Sequence, residues 1–300
     1  MRPTSHGISR AQAWVLAARP KTLPAAVAPV AAGTGLAAHH GVAAALPALA
    51  ALLGAVLIQI ATNLANDYYD YVRGGDTEER VGPVRVTQAG ILPPAVVKRG
   101  MILTLVAALL VGVYLAWVAG WPVVFIGLAS LTCAVIYTGG PYPLAYHGLG
   151  DLFVFVFFGL VAVGGTYFVQ GLAWPSDAVL AGVALGGLST AILVVNNLRD
   201  IPTDARAGKR TLAVRLGAKG TKVEYLLMLG LAAVVPFVGV GAFKWPWACL
   251  VALLVAPLCV APIRRVLRFE DPRELLPALG ETARVVALYG VLLGLGLALG

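Results

Sequence analysis

Nine apolar segments, each about long enough to cross a lipid bilayer as a helix, run through this sequence of 300 residues. A helix needs about 17 to 25 apolar residues to cross roughly 30 Å of hydrocarbon, and the segments lack the alternating pattern of a membrane barrel. Because 59% of the residues are hydrophobic and only 12% are charged, the chain could not coat soluble domains. The predicted fold is therefore all-α, a polytopic membrane protein with nine transmembrane helices around a central cavity. The predicted spans are residues 23–38, 42–65, 100–119, 122–138, 152–171, 178–195, 223–242, 247–263 and 283–300.

The charges between these segments predict the orientation. If the N-terminus is cytoplasmic, 21 of the 22 Lys and Arg residues fall on the cytoplasmic side and only Lys244 lies outside, as the positive-inside rule requires. We therefore predict a prokaryotic cytoplasmic membrane protein whose N-terminus and cavity mouth face the cytoplasm and whose C-terminus is outside. The net charge of +8 does not indicate a nucleic-acid partner, because the basic residues form no face of a soluble module.

The acidic residues gather on the same side, with only Asp177 of the 14 in an outer connection. The positive-inside rule does not concern acidic residues, so their position needs another cause. Asn66 and Asp70 follow predicted helix 2 with the same i, i+4 spacing as Asn196 and Asp200 after helix 6, which puts each pair on one helix face. A single Asp at such a place could be a helix cap or a solvated charge, but two matching clusters favour a site.

Carboxylate and amide oxygens without His or Cys suit Mg²⁺, which takes one or two carboxylates and completes its shell with water and substrate phosphates. Two facing clusters predict two or more ions that grip a polyanion, with nearby basic residues on the remaining phosphate oxygens. The motifs lie 130 residues apart. We therefore treat residues 1–300 as one transmembrane domain in which helices 1 to 4 and 5 to 8 are candidates for two related halves, with helix 9 extra. The basic residues beside the clusters are Lys21, Arg73, Arg80, Arg85, Lys209, Arg210 and Arg215.

The two motifs, NDYYD at 66–70 and NNLRDIPTD at 196–204, on helices 2 and 6 of nine, resemble those of the UbiA superfamily of intramembrane prenyltransferases. The runs RPKTLPAAVAP (19–29), NDYYDYVRGGDTEERVGPVRVTQAG (66–90) and NNLRDIPTDARAGKRTLAVRLG (196–217) are most similar to the branch that acts on 1,4-dihydroxy-2-naphthoate in menaquinone synthesis. Gly74 stands where many members have a third Asp, and Asp76 follows two residues later, as in that branch. Whether Asp70 or Asp76 is the more direct ligand stays open, and Asp67 could reach the metal or cap the helix.

The resemblance, which covers essentially the whole chain, implies transfer of a polyprenyl group from a polyprenyl diphosphate to 1,4-dihydroxy-2-naphthoate, with loss of the ring carboxylate. Two Mg²⁺ ions would bridge the diphosphate, and the prenyl tail would lie between helices beside membrane lipid. The predicted metal ligands are Asn66, Asp67, Asp70, Asp76, Asn196, Asp200 and Asp204. The residues predicted to contact the donor are Arg80, Arg85, Lys209, Arg215, Tyr137 and Tyr146, and those predicted to be catalytic are Asp70, Asp200, Asp204 and Lys21.

Lys21 is predicted to bind the carboxylate of the aromatic acceptor, the alternative being an interface anchor. The Gly-, Pro- and Tyr-rich loop 137–151 could cover the pocket or be plain turns. A prenyltransferase for another aromatic acceptor remains an alternative. A cation-coupled transporter fits less well, because transporters bind near the midplane and open to both sides, whereas these acids lie at helix ends.

Overall fold

The computed structural model describes residues 8–74 and 81–300, so the predicted ligand Asp76 and the predicted phosphate contact Arg80 lie outside the described residues. Of the described residues 82% are helical, and none of them lies in a strand. The all-α prediction is confirmed. The helices are α1 (Arg10–Ala18), α2 (Pro24–His39), α3 (Ala45–Val72), α4 (Pro94–Ala119), α5 (Trp121–Ile136), α6 (Gly150–Phe155), α7 (Ala162–Gly171), α8 (Ser176–Arg206), α9 (Leu212–Phe243), α10 (Ala256–Arg268) and α11 (Leu275–Ala298).

Seven helical segments of the described chain are long and apolar enough to cross a membrane. The π-helical turn Val156–Val161 joins α6 to α7, and the 3₁₀ segment Trp247–Val255 leads into α10, so each pair forms one span. Each of the nine predicted segments overlaps a helical segment over most of its length, but α2 and α5 have only 16 residues each. At 1.5 Å per residue such a helix is about 24 Å long, shorter than the roughly 30 Å of hydrocarbon. The structure is that of an integral membrane protein, and the nine-span count stays a prediction.

Helix α8 is the central helix of the bundle, and most of its apolar stretch is buried. Small residues let its neighbours approach closely: a Cβ on Gly159, in the π-helical turn, would lie 2.3 Å from the carbonyl oxygen of Gly182 on α8. Helices α2 and α11 pack in the same way, since a Cβ on Gly35 would lie 2.1 Å from the carbonyl oxygen of Gly294. Such small-residue contacts are typical of membrane helices, which gain little from apolar burial in lipid and associate by close packing.

Both predicted motifs lie on helices rather than in loops. Helix α3 continues to Val72 and α8 to Arg206, so the i, i+4 spacing of each motif does place its residues on one helix face. Three connections pack over these helix ends: residues 81–93, 137–149 and 207–211. Arg210 N–H donates to the carbonyl oxygen of Tyr146 over 3.0 Å, which ties the second connection to the third.

Asp177, in the first turn of α8, organises the opposite end of the bundle. Its Oδ2 lies 3.2 Å from Nε2 of His40 and accepts from Nε1 of Trp245 at 3.2 Å. The other ring nitrogen of His40 lies 2.8 Å from the hydroxyl of Tyr167. The lone acid of the predicted outer connections therefore joins α2, α7 and α8 to the connection that follows α9.

Candidate active site

A cavity of about 400 Å³ lies between α2, α3, α4, α5, α8 and the α6–α7 span. Most of its lining is apolar, and Leu109, Val113 and Leu128, which contribute to it, are exposed. At its other end the cavity meets both motifs, through Asn66 on α3 and Asn196 on α8. One compartment thus offers an apolar surface for a hydrocarbon and a polar end for a charged group. The polar residues that line it include Arg19, Thr22, Gln59, Asn63, Asn66, Tyr137, Ser189 and Asn196.

Asp70, one turn beyond Asn66, is buried in a network of charged and phenolic donors. Nη1 of Arg85 donates to its Oδ2 over 2.6 Å, and the hydroxyl of Tyr146 donates to its Oδ1 over 2.9 Å. The same Arg85 nitrogen donates to the carbonyl oxygen of Asn66 over 3.0 Å. Thr138 donates to the side-chain Oδ1 of Asn66 over 2.9 Å. The oxygens of the first motif are therefore oriented by neighbours from two connections.

Asp67 has a different environment from Asp70. Its Oδ2 accepts from the backbone N–H of Val86 at 3.0 Å and its Oδ1 from that of Thr87 at 3.1 Å, and only 1% of the residue is exposed. Both oxygens therefore hold the connection that carries Arg85. The metal-ligand role predicted for Asp67 stays a prediction, and the contact present in the structure is that of a loop anchor.

The second motif is paired with basic residues in the same way. Arg199 grips the neighbouring Asp200 with two hydrogen bonds, Nε to Oδ1 at 2.7 Å and Nη2 to Oδ2 at 2.6 Å. Nζ of Lys209 lies 3.8 Å from Oδ1 of Asp204. Arg199 is not among the basic residues predicted beside the clusters, although its place next to Asp200 in the sequence was a signal for this pair.

Tyr146 joins the two motifs. Its hydroxyl binds Asp70, while Nζ of Lys209, the partner of Asp204, lies 5.4 Å from the centroid of its ring. The guanidinium of Arg73 lies 5.7 Å from the same centroid. A cation this close to an aromatic face is attracted by its negative quadrupole. The structure thus brings the two predicted clusters to one place.

The acidity of Tyr146 is shifted by its surroundings. Burial, reinforced by Asp70, raises the pKa of Tyr146 far above its ordinary value. The phenol is therefore a neutral hydrogen-bond donor to Asp70 at physiological pH.

Two basic residues of the predicted site do not line the cavity. Lys21, in the short 3₁₀ segment Pro20–Thr22, is exposed and is not among the residues that line the cavity, whereas Arg19 is. Arg215 is exposed, and its Nη2 donates to the carbonyl oxygen of His147 over 2.8 Å, so it supports the connection 137–149. The structure does not bring Lys21 or Arg215 to the cavity, and their predicted substrate contacts stay predictions.

Gln59 is a cavity residue that the sequence did not indicate, and Asn63, which the sequence places with the first cluster at the end of helix 2, lines the cavity beside it. Nδ2 of Asn63 donates to Oγ1 of Thr22 over 2.9 Å, and Nε2 of Gln59 donates to Oδ1 of Asn63 over 3.3 Å. Both lie on the face of α3 that carries Asn66, at i−7 and i−3, and this spacing was the signal available.

The donor set fits Mg²⁺ bound together with a diphosphate. Within residues 8–74 and 81–300, no three His, Cys, Asp or Glu side chains group closely enough to hold a metal. Mg²⁺ takes only one or two carboxylates and obtains its other ligands from water and phosphates. The oxygen-only chemistry of Asn66, Asp70, Asn196, Asp200 and Asp204 matches that preference, and basic residues balance the charge of the aspartates.

These features define a class of protein: an integral membrane protein of helices whose apolar cavity ends at two paired Asn/Asp motifs. The model of the family described as "UbiA prenyltransferase family" matches residues 26–298. The chain belongs to that family.

Curated relatives match along nearly the whole chain. A 1,4-dihydroxy-2-naphthoate octaprenyltransferase of Mycobacterium tuberculosis is 43% identical over 287 residues, which is 96% of this chain and 97% of that protein. The protein of the same name from Escherichia coli is 40% identical over 301 residues, 98% of this chain and 97% of its own.

Solved structures agree in fold. A UbiA homolog from Archaeoglobus fulgidus, bound to GPP and Mg²⁺, is similar with a TM-score of 0.62 at 16% identity. The match covers 93% of this chain and 98% of that one. The two chains share the UbiA fold.

Proposed function

We propose that this protein transfers a polyprenyl group from a polyprenyl diphosphate to 1,4-dihydroxy-2-naphthoate, with loss of the ring carboxylate, in menaquinone biosynthesis. The observation that carries the proposal is the apolar cavity whose polar end meets both motifs through Asn66 and Asn196. The choice of acceptor is supported by the names of the relatives that are 43% and 40% identical over nearly the full chain.

The diphosphate of the donor would lie between the two motifs. Asn66, Asp70, Asn196, Asp200 and Asp204 are the proposed ligands of two Mg²⁺ ions. Bound Mg²⁺ would supply positive charge that stabilises the leaving diphosphate. Arg85 and Lys209, which now pair with Asp70 and Asp204, are close enough to these carboxylates to add hydrogen bonds to phosphate oxygens. We leave Asp67 out of this ligand set, because both of its oxygens hold backbone amides of the connection 81–93, whereas the partners of Asp70 and Asp200 are side chains.

The hydrocarbon tail would occupy the apolar part of the cavity, and its allylic carbon would lie near the polar end. Tyr137 lines that end, and Tyr146 lies beside Asp70. Neutral aromatic groups exclude water from a developing carbocation and stabilise it through their ring faces. For the acceptor's carboxylate we propose Arg19 in place of Lys21, because Arg19 lines the cavity.

The proposed topology has nine spans, a cytoplasmic N-terminus and an external C-terminus in the cytoplasmic membrane of a prokaryote. Its support is the charge distribution, which places Arg85, Lys209 and the aspartates at one end of the bundle, the end that we assign to the cytoplasm. Single cysteines at exposed Leu172 and Asp271, in a variant without native cysteines, should react with impermeant reagents from opposite faces.

Turnover by the purified protein tests the reaction. The protein is incubated with Mg²⁺, a polyprenyl diphosphate and 1,4-dihydroxy-2-naphthoate, and mass spectrometry follows the prenylated, decarboxylated product and free diphosphate. We expect product that disappears with a chelator and with Asp200→Asn. If no product forms with any tail length, the proposal is contradicted. If product forms only with a different aromatic acid, the enzyme acts on another acceptor.

A further inference from the structure

Gln59 on α3 is a buried residue of the cavity wall to which the proposed reaction assigns no role. It precedes Asn66 by two turns of the same helix, lines the cavity and is only 6% exposed. Within residues 8–74 and 81–300, its side-chain Oε1 has no hydrogen-bond partner. A buried acceptor without a donor is unfavourable. The cavity wall therefore contains an acceptor oxygen that a ligand with a hydrogen-bond donor would satisfy.

The amide nitrogen of Gln59 is fully engaged. Nε2 donates to Oγ1 of Thr22 over 3.1 Å and to Oδ1 of Asn63 over 3.3 Å. An amide nitrogen has two hydrogens, so these two bonds use both of them. Thr22 lies in the short segment before α2, whereas Asn63 lies one turn further along α3. The amide is thus held from two sides, and Oε1 is its one remaining polar atom.

Carbonyl oxygens at the end of α1 determine which end of the Gln59 amide is the free one. Nδ2 of Asn63 donates to the carbonyl oxygen of Ala18 over 2.8 Å, and Oγ1 of Thr22 donates to that of Arg19 over 3.0 Å. Carbonyl oxygens only accept, so Asn63 must turn its Oδ1 toward Gln59, and Thr22 has used its single hydroxyl hydrogen. A reversed Gln59 amide would place its oxygen against these two acceptors. The free atom of Gln59 is therefore the oxygen.

Of the two proposed substrates, only the aromatic acceptor offers a hydrogen-bond donor. The polyprenyl diphosphate consists of a hydrocarbon and of phosphate oxygens that accept. In 1,4-dihydroxy-2-naphthoate the 1-hydroxyl is adjacent to the carboxylate and donates to it internally, which leaves the 4-hydroxyl as the free donor. Arg19, the residue proposed for the carboxylate, lines the same cavity, and its carbonyl oxygen belongs to the network that holds Gln59.

We propose that Gln59 is a specificity-determining residue for the aromatic acceptor: its Oε1 accepts a hydrogen bond from the 4-hydroxyl of 1,4-dihydroxy-2-naphthoate while Arg19 binds the carboxylate. This inference rests on the proposed function. Two contacts at different positions of one ring fix the orientation of that ring in the cavity. A site built to bind a substrate hydroxyl rejects an analogue that lacks it, because the buried polar group of the site is then left unpaired.

A pair of naphthoates tests the contact in the wild-type protein. The analogue 1-hydroxy-2-naphthoate keeps the rings, the carboxylate and the 1-hydroxyl and lacks only the 4-hydroxyl. Melting temperatures of the purified protein at increasing ligand concentration give both dissociation constants. The measurement is made without prenyl donor and without oxygen, because the quinol oxidises. We expect 1,4-dihydroxy-2-naphthoate to bind about tenfold more tightly or better. Equal affinities would overturn the inference without any variant.

Gln59→Met keeps an unbranched side chain of similar length and removes both polar atoms of the amide. We expect the affinity for 1,4-dihydroxy-2-naphthoate to fall by about tenfold or more, because the 4-hydroxyl loses its acceptor. The affinity for 1-hydroxy-2-naphthoate should stay near the wild-type value, since this ligand has no 4-hydroxyl to lose a partner. An equal loss for both ligands would show that Gln59 only shapes the cavity, and would refute the inference.

Thr62→Val is the matched control on the same helix. Thr62 also lines the cavity, but its hydroxyl donates to the carbonyl oxygen of Ile58 over 2.8 Å. Val has nearly the same shape and lacks only the hydroxyl. Both dissociation constants should therefore stay near their wild-type values. A selective loss of 1,4-dihydroxy-2-naphthoate binding as large as in Gln59→Met would contradict the assignment of this contact to Gln59.

The two measurements separate this inference from the proposed function. A wild-type protein that forms the prenylated product but binds both naphthoates equally would refute the inference alone. A wild-type protein that neither forms product nor binds either naphthoate would refute the proposed function, and the inference with it.

Discussion

The hydroxyl of Tyr146 donates to Oδ1 of Asp70 over 2.9 Å, while the ring of the same tyrosine lies 5.4 Å from the ammonium of Lys209. Lys209 in turn pairs with Asp204. One side chain from a connection between helices therefore links the first motif, on α3, to the second, on α8. A diphosphate bound between the motifs would meet this tyrosine and its cations together.

Tyr146→Phe keeps the aromatic ring and removes the hydrogen bond to Asp70. A hydrogen bond to a charged group contributes about 1.5–3 kcal/mol, so we expect turnover to fall by about 10- to 100-fold through misorientation of the carboxylate. Steady-state kinetics measures the loss. Tyr114→Phe on α4, outside the cavity lining, should leave the kinetics unchanged. Equal kinetics in both variants would show that the Tyr146 hydroxyl does not orient Asp70.

Asp70 and Arg85 form a buried ion pair, with side chains 4% and 8% exposed. Removing one partner of such a pair costs about 3–5 kcal/mol, so Asp70→Asn should both abolish turnover and destabilise the protein. Asp70→Asn/Arg85→Gln removes both charges and should recover stability in thermal unfolding. It should not recover turnover, because the proposed ligand is still missing. Recovered turnover would exclude Asp70 as a ligand.

The variant Asp67→Asn tests whether Asp67 anchors the connection 81–93 or binds metal. The amide keeps one acceptor oxygen for Val86 or Thr87 and loses the other, a cost of about 1–3 kcal/mol. We expect a lower melting temperature, with a Mg²⁺ dependence of turnover close to that of the wild type. A Mg²⁺ dependence raised as strongly as in Asp200→Asn would instead make Asp67 a ligand.

The helices and the two motifs could be predicted because both are properties of local sequence. Apolar segments reveal membrane helices. The i, i+4 spacing puts Asn66 and Asp70 on one face of α3, because the helix includes both residues. The direction of each carboxylate could not be predicted, because it depends on where distant connections pack. Asp67 and Asp70 are three residues apart, yet one meets backbone amides and the other Arg85.

Arg19 shows how a short unpredicted element changes the site. The helix α1 ends at Ala18, and Arg19 adopts a left-handed φ of 52° before the chain turns into Pro20. A left-handed φ is unusual for a residue other than Gly. At this turn Arg19 lines the cavity, while Lys21, two residues later, is exposed. The capping box of Ser9 and Gln12 was a signal for α1.

Arg19→Gln should therefore impair the acceptor more than the donor. Loss of a charged hydrogen bond to a carboxylate costs about 1.5–3 kcal/mol, so the KM for dihydroxynaphthoate should rise by about tenfold or more. The KM for the prenyl diphosphate should stay near the wild-type value. Lys21→Gln should have a much smaller effect on either constant. The reverse ranking would restore Lys21 as the residue that binds the carboxylate.

The apolar part of the cavity should limit the length of the prenyl tail. Gly112 on α4 lines the cavity, and a Cβ at this position would meet nothing within 4 Å. Gly112→Leu should therefore fill part of the cavity without a clash. We expect kcat/KM for long polyprenyl diphosphates to fall by about tenfold or more relative to geranyl diphosphate, because an apolar pocket loses about 1–3 kcal/mol for each group that it can no longer accommodate. Gly230→Leu, on an exposed face of α9 with equally open space, should leave this ratio unchanged. If the ratio in Gly112→Leu equals that of Gly230→Leu, the tail lies elsewhere, between other helices.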